Sequence, residues 1–293
     1  RDTPVDSLIN DAIQNRSIVI GGTSAGMAIQ GGYYFSAQNG TVTSATALSD
    51  PFDTNVTADS TTFIEHSILS NVITDTHYDN PDRKGRHTVF LARILDDYGA
   101  MAYGIACDEY TAVCIGTDGI GHVYGDFPTY DDNVYFLQVN CELSDPTPES
   151  ISSGAPLDWN KGNAALKVYA VKGTTSGTNT FDLTDWKTGT GGTWEHWWID
   201  NGTFNSGSGT IPACPTVGLA DPSEANDLVF PNPAAERIYF QGALQNDAVR
   251  IYSMDGMLIR SSNIDQGSLD IHDLPSGVYL FQWNNHKELI IKQ

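Results

Sequence analysis

Residues 20–27 read IGGTSAGM, a glycine-rich turn that follows a run of strand-forming residues and opens a short helix at Ala25. A serine in this setting indicates a nucleophile elbow, in which a tight turn pushes the hydroxyl out of the sheet. Such a turn requires tiny residues on both sides of Ser24, which explains Gly22 and Gly26. The amide of Ala25 can then face an oxyanion. Glycine-rich turns of this kind also occur without catalysis, so the motif alone leaves both interpretations open.

The segments around this turn alternate between helical and strand patterns, so residues 1–145 are predicted to form an α/β sheet with flanking helices. An amphipathic helix over 4–15 leads into a strand over 17–20, and a second helix is predicted over 87–98. Four later strands are predicted, over 104–107, 112–115, 122–124 and 134–139. Because the chain opens inside this repeat with Arg1, we expect it to be the C-terminal part of a longer protein.

The base that Ser24 needs is sought among seven histidines, and His77 differs from the other six by its position. It follows the strand-like run 72–75 and begins a polar loop, so we predict that it lies at an edge of the sheet, within hydrogen-bonding reach of Ser24. The chain between Ser24 and His77 is short for an α/β-hydrolase, where the acid precedes a distant histidine. This spacing weakens a lipase or esterase interpretation.

Three motifs follow the serine turn in order, namely DTHY at 75–78, RKGR at 83–86 and DEYTA at 108–112. Together with the turn, they resemble the cyanophycinase-like serine peptidases, and the resemblance covers residues 1–145. It implies a class I glutamine-amidotransferase-like sheet with flanking helices. It also implies that Ser24 is the nucleophile and His77 the base, with Ala25 at the oxyanion.

The same resemblance implies a substrate pocket lined by the residues that match the motifs of the group: Asp75, Thr76, Arg83 and Arg86. A guanidinium group presents a fork of donors that suits bidentate capture of a carboxylate. Either arginine can instead cap the following helix, or pair with Asp79 or Asp82.

The acid that orients the histidine is expected between serine and histidine, but the corresponding segment 43–48, TSATAL, contains none. We therefore assign Asp50 as the third catalytic residue, with Asp53 as the alternative. A histidine without its acid can adopt the wrong tautomer, which lowers the rate strongly. Because this acid is missing from the segment, the interpretation of the chain as a non-catalytic surface protein built on a degenerate hydrolase domain remains open.

The charge balance excludes two classes of partner. The chain has 293 residues with 15 Lys and Arg against 36 Asp and Glu, a net charge of −21. It lacks the cations that displace counterions from nucleic acid or bind an anionic membrane surface. Its apolar runs are far too short for a transmembrane segment. No metal and no organic cofactor is implied.

Four cysteines, at 107, 114, 141 and 214, include no C-x-x-C pair, so a zinc knuckle is not expected. Cys107 and Cys114 flank a predicted hairpin, which makes their side chains candidate cross-strand neighbours. A disulfide between them suits an oxidising compartment. Buried free thiols are the alternative.

Residues 146–216 are rich in Gly, Thr, Ser and Trp, and they contain one predicted strand, at 165–171. We interpret them as a loop-rich flank of the peptidase domain, which then spans 1–216. Trp194, Trp197 and Trp198 form either a sugar-binding platform or, as we favour, packing of this flank.

The composition changes after a linker predicted at 217–227. Residues 228–293 consist of short alternating strands broken by turn signals, which predicts a small all-β, Ig-like sandwich. The stretches VFPNPA at 229–234, VRIYSMDG at 249–256 and LPSGVYL at 274–280 resemble the type IX secretion sorting domain. This resemblance implies handling by the type IX secretion machinery of a Gram-negative bacterium, followed by surface attachment or release.

The sequence thus predicts a secreted serine peptidase that hydrolyses cyanophycin, a polyaspartate with arginine on its side chains, to β-Asp-Arg dipeptides. The alternatives are a peptidase for other Asp-containing or isoaspartyl peptides and the non-catalytic surface protein. The expected substrate is a peptide or a cyanophycin-like polymer.

Overall fold

The computed structural model describes residues 3–16, 18–60, 64–214, 229–230, 233–240, 248–253, 257–265, 267–283 and 286–292. The chain divides into two compact units, Arg1–Cys214 and Pro215–Gln293. This division lies next to the domain boundary expected after residue 216. The predicted linker 217–227 lies outside the described residues, as do parts of the PNP and DG motifs.

The first unit contains four α-helices and one 3₁₀ helix among its described residues. The helices are α1 (Pro4–Arg16), α2 (Ala25–Ala28), α3 (Ser44–Ser49) and α4 (Lys84–Tyr98), with the 3₁₀ helix at Ser67–Leu69. The strands are β1 (Tyr34–Phe35), β2 (Ala58–Asp59), β3 (Val72–Thr76), β4 (Tyr103–Cys107), β5 (Thr111–Ile115), β6 (Ile120–Gly125), β7 (Asn133–Val139), β8 (Leu166–Lys172), β9 (Asn179–Asp182), β10 (Gly189–Thr190), β11 (Gly192–Asp200) and β12 (Thr203–Ser208).

A six-stranded sheet with the order β12-β11-β8-β7-β4-β3 forms the centre of this unit. β3 and β4 run parallel, with Thr76 opposite Cys107 at their carboxyl ends. The other neighbouring pairs of this sheet are antiparallel. An isolated parallel bridge between Tyr33 and Ile73 continues the pairing beyond β3. Within the described residues, α4 is the helix that connects a pair of parallel strands, so the alternating pattern expected over 1–145 yields one complete βαβ unit there.

Helix α4 connects β3 to β4 and supplies much of the apolar core. It begins at Lys84, earlier than the start predicted at residue 87, and ends where Gly99 adopts a left-handed φ of 65°. Phe90, Leu91 and Ile94 are fully buried, as the apolar stripe of an amphipathic helix requires. Among the described residues, no helix has the length and apolar content that a membrane crossing needs.

A second, four-stranded sheet has the order β10-β9-β6-β5 and shares a core with the central sheet. Aromatic side chains fill this core, with Phe136 and Phe181 stacked at 4.3 Å between ring centroids. Residues 146–216 therefore differ from the predicted loop-rich flank, because they contribute β8, β11 and β12 to the central sheet. Trp197 is fully buried, which agrees with packing rather than a sugar platform.

The predicted strand at 17–20 is not formed. Residues 18–20 are in no strand, and residue 17 lies outside the described residues. Val19 is 96% exposed and Ile18 is 53% exposed. A strand needs a neighbour for its amide and carbonyl groups, and within the described part of the chain these residues pair with no strand.

The second unit consists of two antiparallel sheets. One contains β13 (Val229–Phe230), β14 (Arg237–Phe240) and β17 (Ser268–Asp270). The other has the order β16-β15-β18-β19, built from β15 (Ala248–Ser253), β16 (Leu258–Asn263), β18 (Gly277–Trp283) and β19 (His286–Lys292). Buried Ile238 from the first sheet and Val249 and Phe281 from the second belong to one core. This is the all-β arrangement that the alternating pattern predicts.

The cysteines are arranged differently from the sequence prediction. Cys141 and Cys214 form a disulfide, whereas Cys107 is a buried free thiol and Cys114 an exposed one. Cys107 and Cys114 are not cross-strand neighbours, because β4 pairs with β3 and β7, whereas β5 pairs with β6. Burial raises the pKa of the Cys107 thiol to about 12, so this thiol is unreactive at neutral pH.

We expect the disulfide to stabilise the first unit by closing a loop with a sequence separation of 73 residues. Replacing both Cys141 and Cys214 by Ser should lower the free energy of unfolding by about 2–4 kcal/mol, since the unfolded chain gains freedom. Denaturant titration measures this change. The variant Cys114→Ser serves as the control and should unfold like the parent protein. Finding more than two free thiols in the denatured, unreduced parent would contradict the pairing.

Candidate active site

The turn that carries Ser24 has the backbone of a strained elbow. Ser24 adopts φ 52° and ψ −124°, a conformation that costs a non-glycine residue on the order of 1–3 kcal/mol. A Cβ on Gly22 would overlap the backbone of Gly26, whereas a Cβ on Gly26 would meet nothing within 4 Å. The tight packing expected on both sides of Ser24 therefore applies to Gly22 only.

Helix α2 is attached to the central sheet directly behind this turn. Thr74 in β3 donates a hydrogen bond of 2.6 Å from its hydroxyl to the carbonyl of Met27. Within the turn, the amides of Gly26, Met27 and Ala28 donate to backbone carbonyls. The amide of Ala25 is the first of α2, and the first amides of a helix have no partner within the helix. Ala25 thus occupies the position expected of an oxyanion donor.

His77 follows β3 directly and approaches the serine. Its Nε2 lies 3.1 Å from the Oγ of Ser24, so the contact expected from the sequence is present. His77 has a left-handed φ of 51°, which turns the chain sharply at the end of the strand. The side chain is 40% exposed and is accessible from the adjoining cavity. The distance between the two side chains is within the reach that a nucleophile and its base require.

The acid beside His77 is Glu109, which the sequence analysis did not select. The Oε1 of Glu109 lies 3.3 Å from the Nδ1 of His77. Glu109 follows β4, and because β3 and β4 are parallel neighbours, their carboxyl ends meet at one edge of the sheet. The signal was present in the DEYTA motif, which lies after a strand adjacent to β3. It was missed because the acid was sought before the histidine in the chain.

Asp50, the acid assigned from the sequence, lies elsewhere. It is the C-cap residue of α3, and its Oδ1 accepts hydrogen bonds from the amides of Phe52 and Gly154. Asp53, the alternative, accepts from the amide and side chain of Asn55. Both carboxylates stabilise the turn that follows them, and Asp50 also holds the loop at Gly154 to the end of α3. The structure does not bring either of them to the cavity beside Ser24.

Asp75 and Arg86 bind each other and not an open pocket. Arg86 donates from Nε to Asp75 Oδ2 at 2.8 Å and from Nη2 to Asp75 Oδ1 at 2.5 Å. A third donor, Nη1, bonds the carbonyl of Val42 at 3.1 Å. The two side chains are 4% and 1% exposed. This placement differs from the predicted capture of a substrate carboxylate. The guanidinium donors of Arg86 are already bonded to Asp75 and Val42, and the carboxylate of Asp75 is already bonded to Arg86.

Arg83 and Thr76 are in contact behind the histidine. The Nη1 of Arg83 donates 2.8 Å to the carbonyl of Thr76, and Thr76 also lines the cavity. The Nε of Arg83 is buried without a hydrogen-bond partner. Burial lowers the pKa of Arg83, and the neighbouring guanidinium of Arg86 lowers it further. Arg83 thus supports the strand end that carries His77.

A cavity of about 740 Å³ opens beside Ser24. Its lining includes Ser24, Thr76, His77, Asp108, Glu109 and Tyr110. It contains no Lys or Arg among the described residues. A site of this volume accommodates a ligand the size of a short peptide, and its carboxylates favour a positively charged one.

His87 lies beneath this edge of the sheet, and its surroundings exclude it as the base. It is fully buried, with Nδ1 3.1 Å from the hydroxyl of Tyr78 and Nε2 3.3 Å from the carbonyl of Ile73. Burial lowers the pKa of His87 to about 4, so the ring is neutral at physiological pH. It is a packing residue beneath the site.

The two glycines of the elbow provide a matched test of its geometry. Gly22→Ala should disrupt the turn, lowering the melting temperature by several degrees, because its new methyl group has no space. Gly26→Ala should keep or slightly raise the melting temperature, since alanine favours a helix by up to about 1 kcal/mol over glycine. Differential scanning calorimetry of both variants checks this. Equal melting temperatures for the two variants would contradict the elbow geometry.

The buried ion pair provides a second test. Arg86→Met should lower the free energy of unfolding by about 3–5 kcal/mol, since it leaves the carboxylate of Asp75 buried and unpaired. Denaturant unfolding measures the effect. Arg16→Met is the control, because Arg16 pairs with Asp11 at an exposed position at the end of α1, and it should cost about 1 kcal/mol or less. A folded Arg86→Met protein of unchanged stability would contradict the structural role.

Comparisons with known proteins identify the C-terminal module. Residues 228–293 match the family described as the Secretion system C-terminal sorting domain. No curated protein matches the chain. The matched module directs type IX secretion, so the chain is a secreted or cell-surface protein that carries a C-terminal sorting domain of the type IX system.

Proposed function

We propose that residues 3–214 form a serine-type hydrolase that cleaves cyanophycin with Ser24 as nucleophile. The observation that carries this proposal is the series of contacts from Ser24 Oγ to His77 Nε2 at 3.1 Å and from His77 Nδ1 to Glu109 Oε1 at 3.3 Å. Nucleophile, base and orienting acid are held on the ends of different elements, as acyl-transfer chemistry requires. The strained backbone of Ser24 and the adjoining cavity support the same assignment.

In the proposed first step, Ser24 Oγ forms a bond to the peptide carbonyl carbon while its proton moves to His77 Nε2. Glu109 accepts a hydrogen bond from the N–H of Nδ1, which selects the tautomer with Nε2 free to take that proton. The amide of Ala25 faces the oxyanion. His77 then gives the proton to the leaving amine nitrogen, and an ester remains on Ser24. Water attacks this ester with His77 again as base, which releases the acid product.

The choice of cyanophycin rests on the motif resemblance and on the charge of the cavity. The lining contains the carboxylates of Asp108 and Glu109 and no Lys or Arg among the described residues. This charge favours a substrate that presents guanidinium groups, as the arginines of cyanophycin do. Other Asp-containing or isoaspartyl peptides have less support, because Arg86, one of the two arginines predicted to bind a carboxylate, is occupied by Asp75, and the described lining of the cavity contains no lysine or arginine.

Glu109 also bears on the non-catalytic alternative. That alternative depended on the absence of an acid from 43–48, and a carboxylate beside His77 Nδ1 supplies the missing group. A surface protein that had lost catalysis would have no need to maintain the strained serine. We therefore favour hydrolysis over a binding role.

Release of β-Asp-Arg dipeptide from cyanophycin by the full chain tests the proposal. Ser24→Ala should abolish release, and Glu109→Gln should lower kcat by about 10²–10⁴-fold, as loss of an orienting carboxylate does in other triads. Asp50→Asn is the control and should retain kcat within about twofold, since its carboxylate bonds only nearby amides. Parallel assays with isoaspartyl dipeptides separate the two substrate classes.

Two results would overturn parts of the proposal. Full activity in Ser24→Ala would exclude Ser24 as nucleophile. Loss of activity in Asp50→Asn with retention in Glu109→Gln would restore the acid assigned from the sequence. Labelling of Ser24 by a fluorophosphonate, followed by mass spectrometry, tests nucleophilicity without a choice of substrate.

A further inference from the structure

Three carboxylates meet beside the loops that carry His77 and Glu109. Asp79 lies in the loop after His77, Asp108 follows β4, and Asp132 precedes β7. One carboxylate oxygen from each lies within 4.8 Å of the other two. Three loops that are distant in sequence thus place acidic groups together, against the mutual repulsion of their charges.

Two of these groups have a buried oxygen that the protein does not satisfy. Asp108 is 4% exposed, and its Oδ2 accepts a 2.8 Å hydrogen bond from the amide of Asn133. Its Oδ1 is buried and has no hydrogen-bond partner. The Oδ2 of Asp132 is buried and unpartnered as well. Unsatisfied buried oxygens of this kind are rare in native proteins, and a bound ion is one of the arrangements that satisfies them.

Two lysines, Lys84 and Lys172, lie near the cluster, and each has another partner. Lys84 places its ammonium 5.2 Å from the ring centroid of Tyr135, and Lys172 pairs with Asp131. Among the described residues, no ion pair involves any of the three clustered carboxylates.

We propose that Asp79, Asp108 and Asp132 bind a divalent cation, Ca²⁺, at the base of the candidate active site. Ca²⁺ takes carboxylate oxygens at 2.3–2.6 Å in flexible geometry, so two of its ligands stand up to about 5 Å apart. Mg²⁺, with ligands at 2.0–2.1 Å, demands a tighter octahedron. The chain is secreted or on the cell surface, where extracellular modules bind Ca²⁺ with dissociation constants of about 10⁻⁴–10⁻³ M.

The site connects to the catalytic geometry through the chain itself. Asp79 lies two residues after His77, and Asp108 directly precedes Glu109. A cation shared by these carboxylates would hold the loop after β3 to the loop after β4, and through Asp132 to the start of β7. The three residues are thus positioning residues for His77 and Glu109. The binding site does not depend on the reaction proposed above.

Calorimetric titration of the metal-free full chain with CaCl₂ at constant ionic strength tests this proposal. The parent protein should bind one Ca²⁺ with a dissociation constant of about 0.1–1 mM, and 10 mM CaCl₂ should raise its melting temperature by roughly 3–8 °C. Asp79→Asn and Asp132→Asn should each weaken binding by about tenfold or more, because affinity depends on the number of charged ligands. Neither substitution changes the deeply buried Asp108, so the Asp79→Asn and Asp132→Asn variants should both fold.

Asp131→Asn is the matched control, since Asp131 adjoins Asp132 in sequence but pairs with Lys172 at an exposed position. It removes the same charge from the chain and should keep the affinity within about twofold. Three outcomes would overturn the proposal: no saturable Ca²⁺ binding up to 10 mM, equal weakening by Asp131→Asn, or preferential binding of Mg²⁺. Unchanged binding by catalytically inactive Ser24→Ala would support the cation site whatever the outcome for hydrolysis.

Discussion

The parallel pairing of β3 with β4 is the constraint on which the candidate site depends. Two parallel neighbours deliver their carboxyl ends to the same edge of a sheet, and here those ends carry His77 and Glu109. Helix α4 makes this pairing possible, since a parallel connection needs a crossover that covers the sheet. Its buried apolar face and the ion pair between Arg86 and Asp75 attach it to β3. A shift of one residue between β3 and β4 would separate the base from its acid.

Two strained residues lie at the candidate site, whereas five other non-glycine residues with a positive φ lie elsewhere in the described part of the chain. Ser24 and His77 both adopt positive φ angles without being glycine, and each conformation costs free energy that the surroundings must offset. The surroundings are rigid on both sides, through the hydrogen bond from Thr74 to Met27 and the support that Arg83 gives to Thr76. These contacts hold Ser24 Oγ and His77 Nε2 at 3.1 Å, a preorganised arrangement that the proposed hydrolysis would need.

The acidic character of the chain has a local counterpart at the site. The net charge is −21, and the carboxylates of Asp79, Asp108 and Asp132 converge next to the catalytic loops. Repulsion within such a cluster opposes folding unless a positive group occupies it. The Ca²⁺ ion that we propose for this cluster would supply such a group. The sorting module, a separate unit, accounts for delivery of the protein to that medium.

Local features of the sequence were sufficient for the serine turn, for His77 at a strand end, for most strands between 103 and 139, and for the C-terminal module. Each of these is encoded by neighbours in the chain, through turn residues, alternation or an amphipathic stripe. Four features could be identified only from the tertiary structure. They are the position of Glu109 beside His77, the ion pair between Arg86 and Asp75, the Cys141–Cys214 disulfide and the added strands within 146–216. The prediction of a strand at 17–20 was wrong for the same reason. Periodicity indicates how a segment can pair, but it does not indicate whether a partner strand is present. Which distant strands become neighbours is decided by packing over the whole core, and local pattern carries little of that information.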